Sequence, residues 1–268
     1  MKKKFIENMT ILENEIKNKD FRKNALSRFT VMWTLITRYP LPQKWWPKEI
    51  IPGYKAMPYA PAVGAIMGII TALVTLFAIL IGIPKLPASW IGIAFYTLSG
   101  WAIHLDGWGD LWDGMGSGKS GEELREIIKD SRLGSFGAIG LLLAFGLWTS
   151  LVSTMETAKI LPALMTSASV ARFSMCVSAF NGTYPWEKGL AKGWVEDIKE
   201  YDLFYSFVIA LLIMPFAPFR WLISIIISTL VARKIAKYMN NRLGGVNGDV
   251  LGATEVLCEI ITLAVFSI

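Results

Sequence analysis

The chain has 268 residues, of which 53% are hydrophobic, and its mean hydropathy is +0.45. This is too apolar for an ordinary soluble domain, where roughly 45–50% apolar residues are typical even when glycine is counted. The formal net charge is +6, and the only two cysteines, Cys176 and Cys258, fall in apolar runs, which excludes a disulfide framework and predicts buried thiols. The composition therefore predicts an all-α, polytopic integral membrane protein.

Residues 1–30 are basic and lack the continuous apolar stretch and cleavage site of a secretory signal peptide. The run FIENMTILENEIKNKDFRKNALSRF predicts an amphipathic helix that lies on the membrane surface or packs against the bundle. No internal repeat or long polar linker comes after it. We therefore predict one membrane domain over residues 1–268, made of this segment and a transmembrane catalytic bundle over 31–268.

The rest of the chain contains about seven apolar segments that could cross a bilayer. The fifth and sixth are short and meet at MPFAPFR, which is typical of a tight hairpin that only just crosses. The seven predicted spans cover about 59–82, 89–105, 136–155, 160–180, 203–217, 219–235 and 250–268.

Lysine and arginine are distributed unevenly between the two ends of these spans. Residues 1–58 hold 12 of them, and the loops after the second, fourth and sixth spans hold 4, 3 and 4, whereas the other end has Lys85, Lys159 and Arg220. Basic loops stay in the cytoplasm, so we expect the N-terminus and these loops on the cytoplasmic side of the cell membrane. Their charge favours membrane lipid or a phosphate-bearing substrate as partner, and we expect no nucleic acid.

The stretch HLDGWGDLWDG places Asp106, Asp110 and Asp113 within eleven residues at the end of the second span. On a helix, positions i, i+4 and i+7 lie within about 60° of one another, so the three carboxylates share a face and repel. A divalent cation would offset this repulsion, and oxygen ligands suit Mg²⁺ or Mn²⁺. The pattern predicts a metal site, with a loop of solvated acids as the alternative.

His104, the only histidine, precedes this cluster. A hydrogen-bonding or structural role is the simplest interpretation, with metal ligation or base catalysis as alternatives. Zinc is disfavoured because no second histidine is available and both cysteines lie in apolar runs.

Two further polar segments lie closer to the C-terminus. In KDSRLGSFG, Lys129 and Arg132 are candidate phosphate ligands, or else juxtamembrane positive charges beside a helix cap. In LGGVNGDVLGATEVLCEI, Asp249 is a candidate functional acid or a helix cap. Glu255 and Glu259 lie inside the apolar last span, and Arg172 in the fourth span is a candidate partner for one of them or for a phosphate.

Taken together, these residues resemble the cobalamin synthase family, also called adenosylcobinamide-GDP ribazoletransferases or cobalamin-5′-phosphate synthases. The resemblance rests on HLDGWGDLWDG followed by KDSRLGSFG, on TRYPLP at 37–42, on Ala171 and Arg172, and on LGGVNGDVLGA at 243–253, all in the family's order. Two positions depart from the family: Trp186 stands where arginine is usual, and Val256 where glutamate is usual, with Glu255 one place early.

The resemblance implies a reaction in which a hydroxyl of α-ribazole, or of its 5′-phosphate, attacks the cobinamide-linked phosphorus of adenosylcobinamide-GDP. GMP leaves, and a phosphodiester remains. The resemblance implies that Mg²⁺ or Mn²⁺ is bound by Asp106, Asp110 and Asp113, and that Asp130 or Asp249 is a further ligand or the base, with His104 as another catalytic candidate. It implies phosphate binding by Lys129, Arg132 and Arg172. Other substrate contacts would be made by Arg38, Tyr184 and Glu259.

Two other functions fit parts of the pattern. One is a related membrane phosphotransferase of the CDP-alcohol type, with another nucleotide-diphospho donor. The other is a cation-coupled transporter with Glu255, Glu259 and Arg172 along its path. The sequence leaves open the lower base, the phosphorylation of the acceptor and the oligomeric state, including a homo-oligomer.

Overall fold

The structure is a computed structural model that describes residues 2–17 and 21–268, and the regular secondary structure of these residues is helical throughout. The helices are α1 (Lys2–Lys17), α2 (Phe21–Ile36), α3 (Gly53–Ala56), α4 (Ala60–Leu80), α5 (Lys85–Tyr96), α6 (Ala102–Gly116), α7 (Gly121–Lys129), α8 (Ser135–Thr154), α9 (Thr157–Asn181), α10 (Lys192–Glu196), α11 (Glu200–Leu211), α12 (Pro218–Arg242) and α13 (Gly248–Ser267).

Four segments of the described chain are long and apolar enough to cross a bilayer: Gly53–Leu80, Ser135–Thr154, Thr157–Asn181 and Gly248–Ser267. They coincide with four of the predicted spans, and the predicted fold class, a polytopic helical membrane bundle, is confirmed. The predicted fifth span is weaker, because α11 has 12 residues and is about 18 Å long against a hydrocarbon core of about 30 Å. The count of seven spans therefore stays a prediction.

A π-helical turn, Thr97–Trp101, with a kink at Gly100, joins α5 to α6. Gly100 within it has φ +143°, a value that glycine adopts more readily than other residues. A Cβ at this position would also lie 2.2 Å from the carbonyl oxygen of Ile36, at the end of α2. The predicted second span thus continues beyond residue 105 as the helix that carries the acidic motif, with a change of direction before it.

Helix α9 lies at the centre of the bundle and is buried over almost its whole length. Helix α4 approaches it closely, because a Cβ at Gly64 or Gly68 would lie 2.2 Å from a backbone oxygen of α9. Helices α12 and α13 pack on α9 as well. Cys176 and Cys258 are buried and free, as predicted.

The N-terminal helices pack on the bundle, which was one of the two placements expected for them. Leu12 of α1 is buried, Glu15 lies 2.7 Å from Arg28 of α2, and Tyr201 of α11 donates a hydrogen bond to Glu15. The predicted amphipathic segment contains two helices in the described residues, α1 and the first part of α2, and residues 18–20 lie outside the described part of the chain.

The basic loops meet at one end of the bundle. The Arg242 side chain donates to the carbonyl oxygen of Lys119 at 2.9 Å, and the Val246 amide donates to the carbonyl oxygen of Thr183 at 2.7 Å. At the other end, Lys85 donates to the carbonyl oxygen of Met155 at 2.8 Å. The loops after α6, α9 and α12 are thus adjacent in space.

Candidate active site

Asp106 and Asp110 lie on α6 and line a cavity of about 280 Å³ between α6, α8 and the loop before α8. Neither carboxylate makes a hydrogen bond or an ion pair with another described residue. Leu141 and Phe145 of α8 form the apolar wall of the cavity, and Ser131 lies at its polar edge. The predicted helical register of the two acids is confirmed, and their carboxylates are free for a ligand.

Asp249 joins these acids from the first turn of α13. The two helices cross at Gly107, where a Cβ would lie 2.6 Å from the Cα of Asp249. Partial burial, and then the charges of Asp249, Asp106 and Asp113, raise the pKa of Asp110 to about 7. Acids from two helices therefore concentrate negative charge at one point.

The cap of α13 is Asn247, so the interpretation of Asp249 as the helix cap is wrong. The Asn247 side-chain oxygen accepts a hydrogen bond from the Val250 amide at 3.0 Å. Its Nδ2 donates to Oδ2 of Asp249 at 2.6 Å. Asn247 thus provides an acceptor for a free amide at the start of α13 and orients the Asp249 carboxylate. The other Asp249 oxygen stays available.

Asp113 has a different environment from the other two acids on α6. Its Oδ2 accepts a hydrogen bond from the Gly134 amide and its Oδ1 from the Gly137 amide, both at 2.8 Å. These amides belong to the first turn of α8, whose N–H groups have no partners within the helix. Asp113 therefore ties α8 to α6 in this structure, and its role as a metal ligand stays a prediction.

Asp130 is paired with Arg132 in the loop before α8. Arg132 Nη2 lies 2.6 Å from Asp130 Oδ2, and Nε lies 3.0 Å from Oδ1. Hydrogen bonds from the Arg132 side chain and amide lower the pKa of Asp130 to about 2, which makes it a poor base near neutral pH. Of the two acids considered as the base, the geometry favours Asp249.

Two cations and two aromatic rings form a cluster between α7 and the loop after α9. Arg125 and Lys129 of α7 lie 5.4 and 5.1 Å from the ring centre of Trp186, within cation–π range. The Tyr184 ring packs edge-on against Trp186 at 6.0 Å. Burial and then the charge of Asp249 raise the pKa of Tyr184. The departure from the family at Trp186 thus supplies a platform for basic side chains.

The predicted substrate contact Arg38 lies on the other side of the π-helical turn. Its side chain is exposed, and its amide donates to the carbonyl oxygen of Ser99 at 2.9 Å. Thr97, two residues before Ser99, lines the cavity that holds Asp106 and Asp110. The backbone of this turn therefore connects Arg38 to the wall of the cavity.

The intramembrane charged residues form a separate buried cluster. Arg172 is 1% exposed, and its Nη1 lies 2.9 Å from Glu255 and 2.7 Å from the hydroxyl of Tyr96. Glu255 Oε2 also lies 3.3 Å from His104 Nδ1. Of the two partners expected for Arg172, the structure provides the acid, and the guanidinium is not open to a phosphate. The interpretation of His104 as a structural residue agrees with its burial.

Glu259 belongs to the same cluster. It accepts hydrogen bonds from Tyr96 and from Trp148 Nε1, each at 3.2 Å, and it is 1% exposed. The prediction that Glu259 contacts substrate does not agree with this burial, because both carboxylate oxygens accept hydrogen bonds from aromatic side chains in the interior.

The donor set fits a hard divalent cation bound together with substrate. Among the described residues, no group of three or more His, Cys, Asp and Glu side chains encloses an ion by itself. Asp106 and Asp110 nevertheless offer two unpartnered carboxylates beside a cavity, and Mg²⁺ commonly takes one or two carboxylates with the remaining ligands from water and phosphate.

A second cavity, of about 470 Å³, lies across α6 from the acids and is almost entirely apolar. Trp108 and Trp112 line it from α6, and they lie roughly opposite Asp106 and Asp110 at 100° per residue. Since no acid lines this cavity, the cavity that holds Asp106 and Asp110 remains the better candidate for phosphoryl chemistry.

Sequence reasoning missed Asn247, Arg125 and the aromatic donors Tyr96, Trp101 and Trp148. For Asn247 a signal was present, because asparagine two residues before Asp249 is itself a preferred cap. For the aromatic residues no local signal exists, since their partners lie more than a hundred residues away along the chain.

A family model described as cobalamin-5-phosphate synthase matches residues 28–267 of this chain. A protein from Fusobacterium nucleatum named adenosylcobinamide-GDP ribazoletransferase is 31% identical to it, over 89% of this chain and 96% of the relative. Proteins of the same name from Caldanaerobacter subterraneus subsp. tengcongensis and Clostridium kluyveri are 32% and 28% identical, covering 80% and 92% of this chain and 88% and 98% of their own lengths. No solved structure matches the chain.

Proposed function

Because this chain belongs to the cobalamin-5-phosphate synthase family, we propose that it acts as an adenosylcobinamide-GDP ribazoletransferase. It joins adenosylcobinamide-GDP to α-ribazole or its 5′-phosphate, releases GMP and forms adenosylcobalamin or its 5′-phosphate, late in cobalamin biosynthesis. The observation that carries this proposal is the pair of unpartnered carboxylates on α6 next to Asp249 of α13, at the end of the bundle where the basic loops meet.

The reaction forms one P–O bond and breaks another. The acceptor hydroxyl attacks the cobinamide-linked phosphorus, and the bond from that phosphorus to the oxygen of the leaving GMP breaks. The hydroxyl proton goes to Asp249, through Oδ1, since Oδ2 already accepts a hydrogen bond from Asn247. Asp249 is preferred to Asp130 as the base because Arg132 occupies both Asp130 oxygens.

Asp106 and Asp110 are the residues that would hold Mg²⁺, or Mn²⁺ in its place. When bound, the ion supplies positive charge against the diphosphate and the developing charge on the leaving oxygen. Lys129, Arg132 and Arg125 lie on the neighbouring loop and helix and provide further positive charge for phosphate. Tyr184 and Trp186 offer aromatic surface for the corrinoid or the base.

The substrates are charged and water-soluble, which agrees with a site at the membrane surface rather than inside the bundle. We place this site, with the N-terminus, on the cytoplasmic side of the cell membrane, because the basic loops lie at the same end of the bundle. The hydrocarbon region would then hold the bundle without contacting the reacting phosphorus.

The direct test uses purified protein in detergent with adenosylcobinamide-GDP, α-ribazole 5′-phosphate and Mg²⁺. We expect GMP to be released in step with the corrinoid product, and EDTA to stop the release. Full turnover after rigorous chelation would contradict the metal assignment, and no GMP in the presence of Mg²⁺ would contradict the activity.

Asp249→Asn tests the base within the same assay. The Asn247 cap is retained in this variant, so the melting temperature should stay close to that of the wild type. We expect turnover to fall by at least about 10²-fold, the lower range for loss of a general base. Near-normal turnover would remove Asp249 from the proton transfer.

A further inference from the structure

The π-helical turn Thr97–Trp101 lies directly before the acidic face of α6. Gly100 within the turn has a non-helical backbone conformation, so the chain kinks there, and this segment sets the direction in which α6 leaves it. Asp106 and Asp110 therefore point in a direction that depends on this turn. If the kink straightened into a regular α-helix, α6 would leave in another direction and carry the two carboxylates away from Asp249.

Both ends of the turn are held by side chains of the buried cluster. Tyr96 precedes the turn and donates to Glu259 at 3.2 Å, while Arg172 donates to the Tyr96 hydroxyl at 2.7 Å. Trp101 ends the turn, and its Nε1 donates to Glu255 Oε2 at 2.8 Å. The Tyr96 and Trp101 rings also stack on each other across the turn, at 5.1 Å.

The acceptors of these bonds lie on α13, the helix that also carries Asp249. Glu255 is fully buried and is paired at 2.9 Å with Arg172 of α9, so its position is held from a third helix. The cluster thus ties the turn before Asp106 to the helix that begins at Asp249. Burying two carboxylates in the bundle is costly unless each has close partners, and the turn provides several of them.

We propose that Trp101 is a positioning residue, which holds the π-helical turn through Glu255 and so orients Asp106 and Asp110 toward Asp249. The proposal rests on the proposed function in one respect, the use of these acids to bind a divalent cation. It assigns the buried cluster a role in the geometry of the site, beyond simple attachment of one helix to another.

Trp148→Phe is the matched control for Trp101→Phe. Both changes remove an indole N–H that donates to a glutamate of α13, in the same buried cluster, and both side chains are at most 1% exposed. Trp148 lies on α8 and makes no hydrogen bond to the turn, although it shares the acceptor Glu259 with Tyr96, which precedes the turn. A role limited to bundle stability predicts similar effects of the two changes.

Two measurements on the purified proteins separate these outcomes: hydrogen exchange of the amides over 97–110, and binding of Mn²⁺ without substrate. For Trp101→Phe we expect faster exchange over this segment and about tenfold weaker Mn²⁺ binding, the size of effect that loss of one hydrogen bond produces. For Trp148→Phe we expect unchanged exchange there and Mn²⁺ affinity within about twofold of the wild type.

Equal changes in the two variants, or a folded Trp101→Phe protein with wild-type exchange and Mn²⁺ binding, would overturn the proposal. If Trp101→Phe does not fold, Tyr96→Phe replaces it, because this change keeps the ring and removes the hydroxyl at the other end of the turn. If the wild type does not bind Mn²⁺, the metal assignment fails, and the exchange difference alone then decides whether Trp101 holds the turn.

Discussion

Asp110 and Asp113 show how two identical side chains on one helix have different environments. Asp110 has no partner among the described residues, and its partial burial, followed by the acids around it, raises its pKa to about 7. Asp113, less than one turn later, accepts hydrogen bonds from two amides of α8. Both residues lie on the same face of α6 by helical periodicity. The difference therefore arises from the groups that each carboxylate meets in the folded chain.

Paired asparagine substitutions separate these two roles. Asp110→Asn should lower turnover by at least about 10²-fold, a barrier increase of about 2.7 kcal/mol, with an unchanged or raised melting temperature because charge repulsion is relieved. Asp113→Asn should lower the stability by about 1–3 kcal/mol, since the new amide N–H faces a backbone donor. The checks are GMP release and thermal unfolding in detergent. The opposite pattern of stability would contradict the assignment of Asp113 as a helix tie.

The raised pKa of Asp110 predicts that metal and proton compete. At pH 7 the free protein carries a proton on Asp110 in a substantial fraction of molecules, and a bound cation must displace it. Apparent affinity for Mn²⁺ should therefore fall as the pH is lowered from 8 to 6. Calorimetry in two buffers of different ionisation enthalpy should show proton release near pH 7.

The control for this measurement is Asp110→Asn, which should bind Mn²⁺ weakly and release no proton from this position. Affinity that is constant between pH 6 and pH 8 in the wild type would contradict the charge environment described for Asp110.

At the scale of elements, the crossing of α6 and α13 brings the acids of two helices together. The crossing depends on a residue without a side chain at Gly107, because the Asp249 backbone occupies the space of a Cβ. Glycine in a helix costs about 1 kcal/mol relative to alanine, so its presence here requires a compensating contact. The close approach that places Asp249 beside α6 is that contact.

Gly107→Ala should therefore separate α6 from α13 and lower both stability and turnover. We expect a loss of about 1–3 kcal/mol, the usual cost of overpacking, together with weaker metal binding. Gly146→Ala in α8 is the control, because a Cβ there meets nothing within 4 Å and alanine favours the helix. Thermal unfolding and Mn²⁺ titration of the two variants give the comparison. An equally stable Gly107→Ala protein with normal metal binding would show that the contact is not needed.

At the scale of the whole molecule, the free carboxylates and the basic loops lie at one end of the bundle. The buried acids, by contrast, have hydrogen-bond and ion-pair partners inside it. A cation-coupled transporter needs a polar path that continues through the membrane region. Here Glu255 and Glu259 are occupied by Arg172, Tyr96 and tryptophan side chains. This arrangement favours an enzyme that works at one surface.

The sidedness can be tested by cysteine labelling, since the native Cys176 and Cys258 are buried and should react slowly. Cysteines at Ser117 and at the exposed Lys188 should be labelled only from the cytoplasmic side in intact cells or oriented vesicles. A cysteine at Leu86, which is 50% exposed, should be labelled only from the other side. Labelling of residues 117 and 188 from opposite sides would contradict a site built from both loops.

The properties that depend on neighbours along the chain could be predicted from the sequence alone. The apolar lengths of the spans, the asymmetry of lysine and arginine and the shared face of Asp106 and Asp110 all follow from local composition and from helical periodicity. The family resemblance, which the comparisons confirmed, rests on the same local motifs.

The partner of each charged group, by contrast, depends on how the helices pack. Packing brings Asp249 to α6, gives Asp113 to the amides of α8, assigns the cap of α13 to Asn247 and encloses Arg172 with Glu255. These contacts join residues up to about 140 positions apart, as for Gly107 and Asp249, and local spacing cannot specify them. The physical reason is that a carboxylate binds whichever donor or cation lies within about 3 Å in space, and the tertiary structure sets which group that is.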